Sequence, residues 1–232
     1  MSANANDPSG ELKNTGYELF IAALSVLSIV NVVLMYAFRN DSSLRDVLFV
    51  MNALLSVIFS VDFLYRLFSA SSKSEYFLRQ LGWADLLAAL PFKQIKVFRV
   101  FRLVRVFRLL RASGMRRTGR TLLRDRAGSA LLTLLLLGIL VLEFGSLQIL
   151  RLEQHAAGAN IVTASDALWY VIVTISTVGY GDRFPVTDIG RFMGALIIII
   201  GVAIFGTFTG YLANLFLTPR TSDTSDTSEP TG

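Results

Sequence analysis

The sequence predicts an all-α membrane protein, with six transmembrane helices and one shorter helix that enters the membrane without crossing it. Composition is the first reason, because hydrophobic residues make up 53% of the 232-residue chain and charged residues only 17%. An ordinary soluble domain has about 25% charged residues, and a soluble protein of this size would expose much of so apolar a chain to water. Soluble and disordered classes are therefore excluded. The absence of cysteine also excludes a disulfide scaffold, cysteine-bound metals and thiol chemistry.

Four apolar stretches are the second reason, since each is long enough to cross a bilayer, which takes about 20 residues. They are residues 19–38, 47–65, 127–150 and 192–217. Segments 81–92 and 93–111 complete the six although they carry charges, and segment 164–176 is only about half a membrane thick. The polar ends, 1–16 and 218–232, are predicted to be disordered.

The distribution of lysine and arginine predicts the orientation of these helices. If the N-terminus is cytoplasmic, the inner segments carry more basic residues than the outer ones, as the positive-inside rule requires. We therefore expect a multi-pass protein of the plasma membrane with both termini in the cytoplasm.

The fourth segment carries a basic residue at every third position, and from Lys96 onwards every residue between them is Val, Phe or Leu. A nucleic-acid-binding helix would need small or polar residues there, and a helix lying on the membrane surface would need one polar face, which this winding stripe does not form. Arginines inside a membrane are costly and occur with counter-charges, and Asp62 and Asp85 are the acids of the second and third segments. The pattern predicts a voltage sensor built on Lys93, Lys96, Arg99, Arg102, Arg105, Arg108 and Arg111.

The half-membrane segment is predicted to be a re-entrant helix. Thr163 or Ser165 is expected to cap its N-terminus, with Asp166 near the positive end of the helix dipole. The negative end then points toward the place where a cation would be held.

A glycine-rich loop follows this helix, and residues 174–182 read TISTVGYGD. Glycine permits backbone angles closed to other residues, so its alternation with Val178 and Tyr180 can turn successive carbonyls toward one axis. Rings of such carbonyls from four loops replace the hydration shell of K⁺. No internal repeat is visible, so the ring requires four chains. The sequence predicts K⁺ binding by Thr177, Val178, Gly179, Tyr180 and Gly181.

These motifs resemble those of six-transmembrane voltage-gated potassium channels of prokaryotic type, over about residues 17–217. The resemblance implies a four-helix voltage-sensor domain at 17–111, a linker at 112–126 and a two-helix pore domain at 127–217 with a pore helix and a selectivity filter. It also implies a homotetramer with K⁺ as the permeant ion and no organic cofactor. Anionic lipid is expected at the inner surface, and nucleic acid is not expected as a partner.

The resemblance further implies roles for single residues. Phe59 and Asp62 match an aromatic and an acid that, with Asp85, would form the charge-transfer centre. Trp169 and Asp182 match positions whose side chains bond behind the filter. The inner helix is expected to bend at a hinge glycine, Gly201 or Gly206, and the charges expected to move are Arg99, Arg102, Arg105 and Arg108.

Other functions fit less well. The sequence has no phosphate-binding loop, no metal-spaced set of ligands and no nucleophile beside a base, so an enzyme is not expected. A K⁺ transporter would need four filter-like loops in one chain. The alternative function is a K⁺ channel whose basic helix is structural and does not respond to voltage. Glu143, in the third long stretch, is expected to bond within the pore domain.

Overall fold

The computed structural model describes residues 8–69 and 126–217, and every regular element in these residues is an α-helix. The helices are α1 (Pro8–Ala37), α2 (Ser42–Ser69), α3 (Arg126–Glu153), α4 (Ala164–Ile175) and α5 (Asp188–Leu217). The predictions for the third segment, the basic ladder, the linker and the C-terminal tail lie outside the described residues.

Four of the helices contain apolar spans of 22 to 27 residues, long enough to cross a membrane, and α4 is a shorter apolar helix. These findings confirm an all-helical membrane protein and the four long spans predicted from hydropathy. The spans are Gly16–Ala37, Ser42–Tyr65, Ala130–Glu153 and Asp188–Asn214.

The first helix begins earlier than predicted. The sequence predicts a disordered segment over residues 1–16, whereas α1 begins at Pro8. Proline suits the first position of a helix because its fixed φ is already helical and its missing N–H has no helical partner. Glu11, Leu12 and Lys13 follow, and all three are good helix formers. The polar composition of this segment therefore did not prevent a helix.

Two apolar clusters hold the helices together. One cluster joins α1 to α2 through buried residues such as Leu24 and Phe59, and residues of α3 pack against it. The other joins α2, α3, α4 and α5, and Val171 of α4 and Ile197 of α5 lie within it. Helix α4 therefore lies among α2, α3 and α5, which fixes the starting point of the glycine-rich loop.

Candidate functional site

A capping box fixes the N-terminus of α4. The Thr163 side chain accepts a hydrogen bond from the backbone N–H of Asp166 at 3.2 Å. The Asp166 carboxylate in return accepts from the backbone N–H groups of Thr163 at 3.0 Å and Val162 at 3.2 Å. Of the two caps considered from the sequence, the structure therefore uses Thr163. The cap thereby satisfies the Asp166 N–H, one of the otherwise unpaired donors in the first turn of α4.

The backbone N–H groups of the glycine-rich loop turn back onto the last turn of α4. Val178 N–H and Gly179 N–H both donate to the Val173 carbonyl, at 3.1 and 3.3 Å, and Thr177 N–H donates to the Thr174 carbonyl at 3.1 Å. Because these donors face α4, the loop begins with its amides directed inward.

Positive φ angles occur at every second residue of the TVGYG loop, defined as residues 177–181. Thr177 has φ 58°, Gly179 has φ 61° and Gly181 has φ 76°, while Val178 and Tyr180 are not among the positive-φ residues. Alternation between right- and left-handed angles directs successive N–H groups to one side of the backbone, which leaves the carbonyls on the other. A positive φ is uncommon for threonine, a β-branched residue, and the sequence did not reveal it.

An aromatic pair and a carboxylate hold the loop against α4. The rings of Trp169 and Tyr180 are stacked, with centroids 5.8 Å apart and planes 2° from parallel. The Trp169 indole N–H donates to the Asp182 carboxylate at 2.8 Å. The structure thus brings together the pair expected behind the filter and adds Tyr180 to it.

Two consecutive residues shortly after the TVGYG loop, Arg183 and Phe184, bond to residues earlier in the chain. The Arg183 guanidinium pairs with the Asp166 carboxylate at 2.9 Å, and Phe184 N–H donates to the Asn160 side chain at 3.1 Å. Burial acts to raise the pKa of Asp166, but hydrogen bonds from Thr163 and Val162 and the nearby Arg183 charge outweigh it and lower the pKa below its ordinary value.

Glu153, the last residue of α3, is wholly buried and joins α3 to the start of α5. Its carboxylate accepts from Val186 N–H at 2.7 Å, Thr187 N–H at 3.1 Å and the Thr187 hydroxyl at 2.6 Å. A Cβ on Gly190 would collide with the same carboxylate. Sequence reasoning missed this group. The available signal was an acid that ends one apolar span, suited to the positive N-terminus of another.

A related carboxylate, Asp41, lies in the turn between α1 and α2. It accepts from Leu44 N–H at 3.0 Å, which satisfies a donor of the first turn of α2, and from the Gln154 side chain at 2.8 Å. Burial acts to raise the pKa of Asp41, but these hydrogen bonds outweigh it and lower the pKa below its ordinary value. The turn is thereby tied to the chain just beyond α3.

Part of the expected charge-transfer centre lies within the described residues. Phe59 and Asp62 are both buried on α2, and the Tyr17 hydroxyl of α1 donates to the Asp62 carboxylate at 2.7 Å. Sequence reasoning missed Tyr17. Asp85 and the four arginines expected to move, Arg99, Arg102, Arg105 and Arg108, lie outside the described residues.

The candidate hinge glycines have different surroundings in α5, which is one helix from Asp188 to Leu217. A Cβ on Gly201 would lie 2.7 Å from the Ile175 Cα, so glycine there permits a close approach of α5 to the end of α4. A Cβ on Gly206 would meet nothing within 4 Å in the described chain. The hinge remains a prediction for both residues, but Gly201 also has a packing role.

Comparisons with known proteins agree with this architecture. The ion transport protein family matches residues 14–218. A protein of Aeropyrum pernix named voltage-gated potassium channel is 28% identical, covering 91% of this chain and 77% of that protein. Potassium voltage-gated channel subfamily KQT member 1 of Xenopus laevis is 26% identical, covering 87% of this chain and 36% of that protein. Potassium voltage-gated channel protein Shal of Drosophila melanogaster is 29% identical, covering 69% and 30%.

Proposed function

Because the chain belongs to the ion transport protein family, we propose that it is a voltage-gated, K⁺-selective channel. The family membership confirms an ion-transporting membrane protein rather than an enzyme. The proposal adds six transmembrane helices, assembly as a homotetramer in the plasma membrane, and both termini in the cytoplasm. The relatives named as voltage-gated potassium channels support it.

The observation that carries the proposal is the alternation of positive φ in the TVGYG loop at Thr177, Gly179 and Gly181. The N–H groups at the start of the loop already bond to α4, so the carbonyls on the opposite side are available to an ion. Four such loops offer rings of carbonyl oxygens in place of water. We propose that α4 is the pore helix and that residues 177–181 bind K⁺.

The exposure of the loop supports assembly from four chains. The Val178 side chain is 53% exposed and the Tyr180 side chain 67% exposed in the single chain, so one chain supplies only one wall of an ion path. Only 17% of the α5 span is buried, against 44% of the α2 span. A large apolar surface of this kind fits lipid or another protein surface. We propose that part of α5 faces its copies around the pore.

The voltage sensor is proposed from the sequence motif together with one described contact. Asp62 and Phe59 are both buried on α2, and Asp62 accepts a hydrogen bond from Tyr17 of α1. A carboxylate is therefore held in the apolar part of a span. Arg99, Arg102, Arg105 and Arg108 are proposed to exchange beside Asp62 and Asp85. Moving one charge through the field is worth about 2.3 kcal/mol per 100 mV, enough to bias a gate on α5 at Gly201 or Gly206.

Recording currents from the purified chain in planar bilayers tests the function. We expect the reversal potential to follow the K⁺ gradient and to ignore the Na⁺ gradient, and the open fraction to rise steeply with voltage. Arg102→Gln and Arg105→Gln should each make the conductance–voltage curve shallower, with Lys93→Gln as the control that leaves the slope unchanged. Selective currents with an unchanged total gating charge in both arginine variants would favour the K⁺ channel with a structural basic helix.

A further inference from the structure

Asn31 of α1 and Glu143 of α3 form an unsatisfied polar pair inside the described part of the fold. Both residues have 0% exposure. All of the buried side-chain nitrogen and oxygen atoms that lack a hydrogen-bond partner among the described residues belong to these two, namely Asn31 Nδ2 and Oδ1 and Glu143 Oε1 and Oε2. Buried polar atoms are almost always bonded, so this concentration needs an explanation. We expected Glu143 to bond within the pore domain, but its side chain forms no hydrogen bond among the described residues.

The pair lies well inside the apolar spans. Asn31 is six residues before Ala37, where its span ends, and Glu143 is ten residues before Glu153, where its own span ends. At 1.5 Å per residue these positions are about 9 and 15 Å along the helix axis from the C-terminal ends of α1 and α3. The contact between Asp41 and Gln154 shows that these two ends lie at the same side of the fold. Bulk water does not reach such a depth.

An ionised carboxylate at this place would have nothing to balance its charge among the described residues. Among the described residues, Asn31 on the neighbouring helix is the one side chain near enough to the Glu143 carboxyl to affect it. No charged group described on the neighbouring helices affects the Glu143 carboxyl. These groups are Glu18, Arg45, Asp46, Asp62, Asp166, Asp188 and Arg191. Burial of an unpaired charge costs far more than burial of a neutral carboxylic acid.

We propose that Glu143 is a membrane-buried proton-binding site, and that its neutral carboxylic acid pairs with the Asn31 amide, directly or through one water molecule. The two groups are complementary in this state. A neutral acid has one O–H donor and one carbonyl acceptor, and a primary amide has donors and an acceptor in the same arrangement. The acid O–H donates to Asn31 Oδ1, and Asn31 Nδ2–H donates to the acid carbonyl, so all four unpaired atoms are satisfied. An ionised carboxylate accepts from Nδ2 but leaves Oδ1 without a donor.

The pair has a positioning role, because α1 belongs to the sensor half of the chain and α3 to the pore half. Apolar packing between the helices tolerates sliding, whereas a two-point polar contact in an apolar setting selects one register. Glu143 would therefore hold α1 on α3. This inference does not depend on which ion the chain conducts, so its failure and the failure of the proposed function are separate results.

Infrared spectroscopy of the full chain in lipid bilayers tests the protonation state. At pH 6 ordinary aspartate and glutamate side chains are ionised, since their pKa values lie near about 4. We expect a carboxylic-acid C=O band at this pH, shifted in D₂O, that Glu143→Gln removes. Glu153→Gln is the matched control, because Glu153 is equally buried on the same helix but accepts hydrogen bonds only. That control should leave the acid band in place.

A double-mutant cycle tests the pairing. Glu143→Leu and Asn31→Leu each leave one buried polar group without its partner, and each should lower the melting midpoint of the solubilised assembly by about 2–4 °C. The double Leu variant should recover most of that loss, since removal of both groups leaves nothing unsatisfied. Glu143→Gln should melt close to the unmodified chain, because an amide can replace the acid in both hydrogen bonds.

Two results would overturn the proposal. The first is the absence of an acid band sensitive to Glu143→Gln at pH 6, which would mean that Glu143 is ionised and paired with a basic side chain outside the described residues. In that case Glu143→Gln should also destabilise the assembly as much as Glu143→Leu. The second is strict additivity of the two Leu substitutions, which would mean that Asn31 and Glu143 do not interact.

Discussion

The end of the described fold that holds Glu153 and the start of α4 accommodates polar side chains differently from the membrane-embedded middle. At that end, the wholly buried Glu153, the half-buried Asp166 and the exposed Asp182 all accept hydrogen bonds. In the middle, the side chains of Asn31 and Glu143 form no hydrogen bond with any described residue. Glu143 and Glu153 are equally buried on one helix, so burial alone does not decide how a carboxyl group is accommodated. The supply of hydrogen-bond donors decides it, because the backbone N–H groups that bond to Glu153 belong to the two residues directly before α5.

Removal of Glu153 is expected to have the largest effect, because it breaks the contact between α3 and the start of α5. Glu153→Leu leaves the part-buried donors of Val186 and Thr187 without an acceptor, and each unpaired donor costs about 1–3 kcal/mol. The assembled fraction by size-exclusion chromatography should fall sharply, and K⁺ flux in vesicles should fall with it. Glu153→Gln keeps one acceptor and should lose less. Normal assembly and flux in Glu153→Leu would contradict the proposed anchor between α3 and α5.

Gly179→Ala tests the backbone of the TVGYG loop within the same region. A Cβ there meets nothing within 4 Å, but φ is +61°, so the substitution acts through backbone strain of about 1–2 kcal/mol. We expect the loss of K⁺ selectivity over Na⁺ in reversal-potential measurements.

Gly158→Ala is the matched control, because Gly158 also has a positive φ of +75° and open space around it, but lies in the loop before α4. It should carry the same strain and leave selectivity intact. Equal effects of the two substitutions would show that the φ alternation is not what selects the ion.

Substitutions at the two candidate hinge glycines of α5, Gly201 and Gly206, distinguish a packing role from a bending role. Gly201→Ala places a Cβ 2.7 Å from the Ile175 backbone, and such overpacking costs about 1–3 kcal/mol. We expect a lower melting midpoint and disturbed conduction. Gly206→Ala meets nothing within 4 Å and should leave the melting midpoint unchanged or raised, since alanine favours a helix. A change in gating kinetics in Gly206→Ala alone would place the hinge at Gly206.

The smallest expected effect concerns pH and the α1–α2 turn. The lowered pKa of Asp41 means that its ionised form stabilises the fold above its ordinary pKa, and this contribution is lost as the pH falls through the lowered value. The melting midpoint should therefore drop between pH 5 and pH 3, and Asp41→Asn, which keeps a capping side chain, should reduce that drop by about 1 °C. The exposed Asp46 supplies the control, Asp46→Asn. An identical acid-induced drop with and without Asp41 would contradict the assignment.

The long helices and the position of the glycine-rich loop could be predicted from the sequence, because both are local properties. Span length follows from runs of apolar residues, as in α2 and α5. The glycines at 179 and 181 indicate unusual backbone angles from the sequence alone. The N-terminus of α1 was the exception, since polar composition indicated disorder where Pro8 begins a helix.

The tertiary structure alone decided which groups meet. Glu153 bonds to residues more than thirty positions later in the chain, and Asn31 faces Glu143 from a helix more than a hundred positions away. Hydropathy and spacing report only what each residue requires of its immediate surroundings. The partner that meets the requirement depends on how the helices pack.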